Sequence, residues 1–318
     1  MLWLLLLLCA DSFDTSLRSG LIALNNNDLP VAESQLEAAS QLHPADARVW
    51  LALAQTYFKL QRRGDADSAA MRAESLTKDS ALLQALTVYY SETGNTEKTG
   101  EVVRTALSQS GLGEDYYFKL ADICLKHRDF TNALESLAAG RKIFDRSPQL
   151  ELAAGVAYYG LRRFPESIDA FLRTIEIDPA LEQPYVFLGR MLEQAEDRLP
   201  RIREAFAGFE RRAPDNYLSP FLYARSLSLG NPAQAEALLR KSIARNGQFA
   251  ESQSELGAIL ERQGRFEEAA RAMRRAIELN PNDPVPHYRL ARIYDRLGKA
   301  NEAKAERDQH ARLVNATR

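Results

Sequence analysis

Apolar and small residues recur along this chain in a fixed order, and the order returns at intervals of 33 to 35 residues. Between residues 251 and 281, Leu256-Gly257 is followed by Gly264-Arg265-Phe266-Glu267-Glu268-Ala269 and then by Ala276-Ile277-Glu278-Leu279-Asn280-Pro281. Residues 152–179 run through the same order as Ala154-Gly155, then Arg163-Phe164-Pro165-Glu166-Ser167, then Thr174-Ile175-Glu176-Ile177-Asp178-Pro179. A third copy passes through Leu120-Ala121, Asp129-Phe130-Thr131-Asn132-Ala133 and Gly140. Each stretch predicts two helices of roughly a dozen residues joined by a turn. Small residues form ladders through the whole sequence. The first-helix ladder is Gly20, Ala54, Thr87, Ala121, Gly155, Gly189, Ala224, Gly257 and Ala291. A second runs Ala32, Ala66, Thr99, Ala133, Ser167, Ala235, Ala269 and Ala303, and a third runs Ala39, Ala73, Ala106, Gly140, Thr174, Ser242 and Ala276. Small side chains at such points let antiparallel helices approach closely, while Leu, Tyr and Phe fill the spaces between them. Pro44, Pro179, Pro214 and Pro281 close units, because proline lacks the amide donor a helix needs and clashes with the preceding turn.

From residue 13 to residue 317 these segments resemble tetratricopeptide repeats, whose period is about 34 residues. The resemblance implies an all-α fold, a right-handed superhelical solenoid of antiparallel helix pairs. Nine units are expected, over 13–46, 47–79, 80–113, 114–147, 148–181, 182–216, 217–249, 250–283 and 284–317. One helix pair cannot bury its apolar stripe alone, so stability is expected to come from the contacts between neighbours. The unit at 182–216 departs from the pattern. Its second helix carries Ile202 and Phe209 where others carry small residues, and the following unit has lost a residue in its turn, Ser228-Leu229-Gly230-Asn231-Pro232. A local change of pitch is expected between Leu199 and Gly230, with both hairpins retained. The polar last helix, through Glu306, His310 and Arg312, suits a solvent-facing cap.

Residues 1–12 open with an apolar run, Met1 to Ala10, too short to span a bilayer. It looks like the apolar part of a secretory leader, with Ala10-Asp11-Ser12 as a cleavage step, although no Lys or Arg precedes it. Export to a bacterial cell envelope is therefore favoured over a cytoplasmic location, and no later segment is apolar enough for a transmembrane span. Hydrophobic residues make up 45% and charged residues 26%, a folded composition. A net charge of −2 gives no reason to expect nucleic acid. The charge is uneven: residues 240–318 hold 16 Lys or Arg against 11 Asp or Glu, a local +5, which reads first as a solvated face. Cys9 and Cys124 offer neither a metal spacing nor a disulfide framework, and Cys124 reads as a small buried hydrophobe.

No catalytic constellation emerges. His43, His127, His287 and His310 fall in four different units without metal-ligand spacing, and Glu267-Glu268 reads as a solvated pair. Tyr90 and Tyr158 take core positions in the repeat register. An enzyme is not expected, nor is any cofactor, metal or small-molecule substrate. In the family it resembles, the first helices line a concave surface that binds protein or peptide partners. Inward positions here include Gln55 and Phe58; Gln84, Val88 and Ser91; Phe118, Asp122 and Leu125; Tyr159; and further on Arg190 and Arg292. The expected partner groove comprises Phe58, Gln84, Phe118, Asp122, Leu125, Tyr159, Arg190 and Arg292, the two arginines facing acidic residues of the partner. Some of these positions could equally serve only packing between units. Chaperone adaptors of the family grip a terminal carboxylate with inward Lys and Asn, but the matching places hold Leu51 and Gln55, Gln84 and Val88, Phe118 and Asp122. The sequence therefore predicts a non-catalytic scaffold or adaptor. An accessory subunit that recruits substrate to an enzyme on another chain is the alternative.

Overall fold

The computed structural model describes the backbone of residues 2–316 and the side chains of residues 12–316. Cys9 and the apolar run of the expected leader, Met1 to Ala10, lie outside the residues whose side chains are described. Among the described residues there are 18 α-helices and no strand. The chain divides into two compact units, Met1–Arg163 and Phe164–Arg318. The first holds α1 (Leu2–Asn25), α2 (Leu29–Leu42), α3 (Ala47–Lys59), α4 (Arg63–Leu76), α5 (Ser80–Glu92), α6 (Thr96–Leu107), α7 (Glu114–Lys126), α8 (Phe130–Ile143) and α9 (Pro148–Gly160). The second holds α10 (Phe164–Ile177), α11 (Gln183–Arg190), α12 (Leu199–Arg212), α13 (Leu218–Leu227), α14 (Pro232–Arg245), α15 (Ala250–Arg262), α16 (Phe266–Leu279), α17 (Pro284–Arg296) and α18 (Ala300–Ala316). Odd-numbered helices are first helices of a repeat and even-numbered ones second helices, in the alternation the ladders predict.

The turns show why the chain keeps this rhythm. Between first and second helices stand Asn27, Gln61, Gly94, Arg128 and Arg162 in the first unit, and Gly264 and Gly298 in the second. All seven have φ between 59° and 75°. One left-handed residue lets the chain reverse at once: the Gln61 amide donates to Phe58 O (3.0 Å) and the Arg62 amide to Tyr57 O (2.9 Å), satisfying the last carbonyls of α3. Some of the second helices are then capped by a side chain. Asn95 accepts from the Lys98 amide at 3.1 Å and Asp129 from the Asn132 amide at 3.3 Å.

Packing follows the small-residue ladders. Ala54, Thr87, Ala121, Ala224 and Ala291 are all buried, and the Thr87 hydroxyl donates to Leu83 O at 2.8 Å. In the first unit the core is continuous from Phe13 and Leu36 through Leu53, Leu86 and Tyr90 to Leu120. A second cluster joins Val103, Tyr117, Cys124, Leu137 and Leu150. Tyr90 is buried as expected, and Tyr89 is buried beside it. Tyr158 is only half-buried, with the Arg163 guanidinium 4.8 Å from its ring centre. In the second unit α18 buries only Ala303, which gives the array its polar last helix.

The atypical repeat keeps its hairpin but changes its interior. Helix α11 has only 8 residues and continues as two single 3-10 turns, Leu192–Gln194 and Glu196–Arg198. Ile202 and Phe209 are buried, and the Tyr185 ring stacks on Phe209 at 4.3 Å. The Tyr185 hydroxyl donates to Pro179 O at 3.0 Å and accepts from Arg212 Nη2 at 2.6 Å. Aromatic stacking thus fills the space that small-residue contact closes elsewhere.

Candidate protein-binding surface

In the first unit, α1, α3, α5, α7 and α9 are successive neighbours. Six of the expected groove residues lie on them: Phe58 on α3, Gln84 on α5, Phe118, Asp122 and Leu125 on α7, and Tyr159 on α9. All six are half-buried, so each is anchored in its helix while keeping accessible surface. Phe118 and Leu125 pack by one side on the core around Cys124. Asp122 pairs with Lys126 one turn on, at 2.6 Å.

This face carries a cavity of about 390 Å³ between α1, α3 and α5. It is lined by Leu21, Leu24 and Asn25, by Gln55, Phe58 and Lys59, and by Tyr89, Glu92 and Thr93. Corresponding residues of the three helices are 34 positions apart, so the cavity is built by the repeat itself. Phe58 meets Tyr89 edge-on, with ring centres 6.3 Å apart. The sequence register misplaced the contribution of α5. Ser91, expected to point inward, is buried at 8% exposure, whereas Tyr89, Glu92 and Thr93 line the cavity. The small-residue ladder steps by 33 between Ala54 and Thr87, while the cavity follows a step of 34. Leu21 and Leu24 were legible by subtracting one period from Gln55 and Phe58.

Arg190 and Arg292 belong to the second unit. Arg190 is exposed, its guanidinium 5.7 Å from the Phe187 ring centre. Arg292 already has an acidic neighbour on the preceding first helix, Glu261, at 3.3 Å, and Arg289 lies 3.8 Å from the same carboxylate. Arg225 bonds Gly189 O at 3.1 Å and lies 3.5 Å from Glu255, and Asp295 pairs with Arg307 at 2.7 Å. The charges on these first helices are largely engaged with one another, which the spacing of the sequence did not reveal.

Among the described residues no cluster of three or more His, Cys, Asp or Glu side chains could hold a metal ion, and no helix is long and apolar enough to cross a membrane. Burial pushes the Cys124 thiol up to about 12, which keeps it protonated and unreactive. His287 is buried and its Nδ1 lies 2.6 Å from Glu306, a pairing that ties α17 to α18. Glu268, expected as part of a solvated pair, instead receives two hydrogen bonds from Arg265, both 2.7 Å.

Helical hairpins in this alternation define an all-α helical-repeat protein. Sequence profiles of the tetratricopeptide repeat match residues 17–81, 118–182 and 225–284, and a second such profile matches residues 260–311. The chain belongs to the tetratricopeptide repeat family, and is in general terms a scaffold for protein interaction. No curated protein matches it in sequence. Among solved structures it is similar in fold to PilW, a type IV pilus biogenesis factor, with 18% identity over 62% of this chain and 91% of that one and a TM-score of 0.51. It also aligns with yeast Tom70, with 15% identity over 92% and 83% of the two chains and a TM-score of 0.47. A third alignment is with YrrB, described as a tetratricopeptide protein with an unusual peptide-binding site. It has 15% identity over 67% and 93% of the two chains and a TM-score of 0.39.

Proposed function

We propose that the chain is a non-catalytic adaptor that holds a segment of a partner polypeptide against the first helices of the unit Met1–Arg163. One observation carries this reading: Phe58 of α3, Phe118 and Leu125 of α7 and Tyr159 of α9 are all half-buried on first helices, and Phe58 lines a cavity of about 390 Å³. Apolar groups that keep exposed surface on a concave, pre-formed face mark binding sites. Gln55, Gln84 and Asn25 place carboxamides among them, able to donate to and accept from a partner's backbone. Arg190 remains an exposed cation of the second unit, whereas Arg292 would have to exchange Glu261 for an acid of the partner.

The test is capture of partners on the tagged chain in its native host, beside a double variant Phe118→Ser/Tyr159→Ser. Both side chains are only half-buried, and circular dichroism checks that the variant keeps its helices. A partner retained by the parent and lost from the variant is the expected result. An unchanged set of partners would remove this face from the function.

A further inference from the structure

The cavity between α1, α3 and α5 has a chemical polarity of its own. Leu21, Leu24, Phe58 and the ring of Tyr89 form the apolar part of its wall, and Asn25, Gln55 and Thr93 an uncharged polar part. Lys59 of α3 and Glu92 of α5 stand beside them, both exposed. Neither makes an ion pair or side-chain hydrogen bond among the described residues, and they do not pair with each other. Some opposite charges on other first helices do pair: Asp122 with Lys126 at 2.6 Å, Arg225 with Glu255 at 3.5 Å, Glu261 with Arg292 at 3.3 Å. The cavity therefore offers an apolar patch around Phe58 within a mixed lining, with a free cation on one helix and a free anion on the next.

Resting on the groove reading above, we infer that this cavity is a specificity subsite for a partner peptide with one bulky apolar residue, leucine or aromatic, flanked by an acid on one side and a base on the other. The apolar side chain fills the recess against Phe58, its carboxylate neighbour meets Lys59 and its basic neighbour meets Glu92. Charge complementarity selects this occupant. A uniformly acidic or basic segment would place a like charge against Glu92 or Lys59, which disfavours it relative to a segment of matched charges. The order of the two charges also fixes the direction in which the segment lies.

The test is selection of a phage-displayed random peptide library on the full chain, in parallel on the charge-swapped variant Lys59→Glu/Glu92→Lys. Synthetic copies of selected peptides are then measured by fluorescence anisotropy. The parent is expected to enrich an apolar residue between opposite charges in one constant order, and the swapped variant to enrich the reverse order. For a parent-selected peptide, Lys59→Glu alone should weaken binding roughly two- to fivefold, the size of an exposed ion pair. Phe58→Ala should cost more than about tenfold, as loss of a buried anchor does. Peptides that bind through Phe58 with no charge order, or with the same order on both proteins, would overturn this inference and leave the groove standing. Peptides indifferent to Phe58 and to Phe118→Ser/Tyr159→Ser, or no enrichment at all, would overturn both. Concentration-dependent dimerisation that is lost in Lys59→Glu and regained in the swapped variant would give the cavity to a second copy of the chain, and also overturn the inference.

Discussion

A methyl group on Gly140 would lie 2.8 Å from the Cβ of Tyr117 and 3.0 Å from a methyl of Leu150, inside the buried seam between α7, α8 and α9. The Tyr117 Cβ is fixed to its own backbone and cannot swing aside, so the helices themselves would have to part. Gly64, on the outside of α4, has nothing within 4 Å of the same position. Gly140→Ala is therefore expected to destabilise by about 1–3 kcal/mol, an overpacking cost that exceeds the gain in helix propensity. Gly64→Ala should be neutral or stabilise by up to about 1 kcal/mol. Urea denaturation of the two variants checks the contrast, and equal effects would mean the seam is slack. Residues like Gly140 were legible in the sequence because close helix contact tolerates few side chains. Tyr89 and Ser91 were not. A single-residue change in the repeat step rotates the choice of inward side chain by about 100°, and a ladder of small residues records the level of contact along the helix but not that rotation.

Between elements, long charged side chains do what small residues cannot, and their choice of partner escapes a one-dimensional reading. Arg265, at the start of α16, bonds Glu268 of its own helix and Glu236 of α14 at 2.7 Å, and Arg240 reaches the same Glu236 at 2.7 Å. Hydrogen bonds from Arg265 hold the Glu268 carboxyl below its ordinary value of 4.5. At Glu236 partial burial works upward, but the bonds from Arg240 and Arg265 outweigh it, and the net shift is also downward. A carboxyl whose folded pKa is depressed contributes stability that is complete above its unfolded value and is lost as pH falls through the folded one. The parent should thus lose stability steadily below about pH 4.5. Arg265→Gln should show a shallower decline over the same window, and denaturant midpoints measured from pH 6 to 3 compare the slopes. Parallel slopes would mean that solvent screens the network fully. Helix order and the places of the turns were legible, since both follow from the repeat of small and apolar residues within each unit. The link from Arg265 to Glu236 crosses 29 residues and was not.

At the scale of the molecule, the two units present different inner surfaces, and the difference predicts how binding responds to salt. On the proposed reading the partner lies against Phe58, Phe118, Leu125 and Tyr159 of the unit Met1–Arg163 and a mostly uncharged cavity, contacts that added salt does not weaken. The unit Phe164–Arg318 carries many charges, but Glu255, Glu261 and Asp295 already occupy Arg225, Arg292 and Arg307. A partner that engaged those arginines would have to displace their acids and would gain little net attraction. Only exposed charges such as Lys59 and Glu92 are left to respond to screening, each worth no more than an exposed pair. Raising salt from about 50 to about 500 mM is accordingly expected to weaken a captured partner by less than roughly fivefold. A ligand held mainly through phosphate or clustered acids would lose about a thousandfold or more over a comparable range. Anisotropy or calorimetric titration across that range decides between them, and a steep loss would move the working surface from the apolar first helices of the first unit to the charged helices of the second.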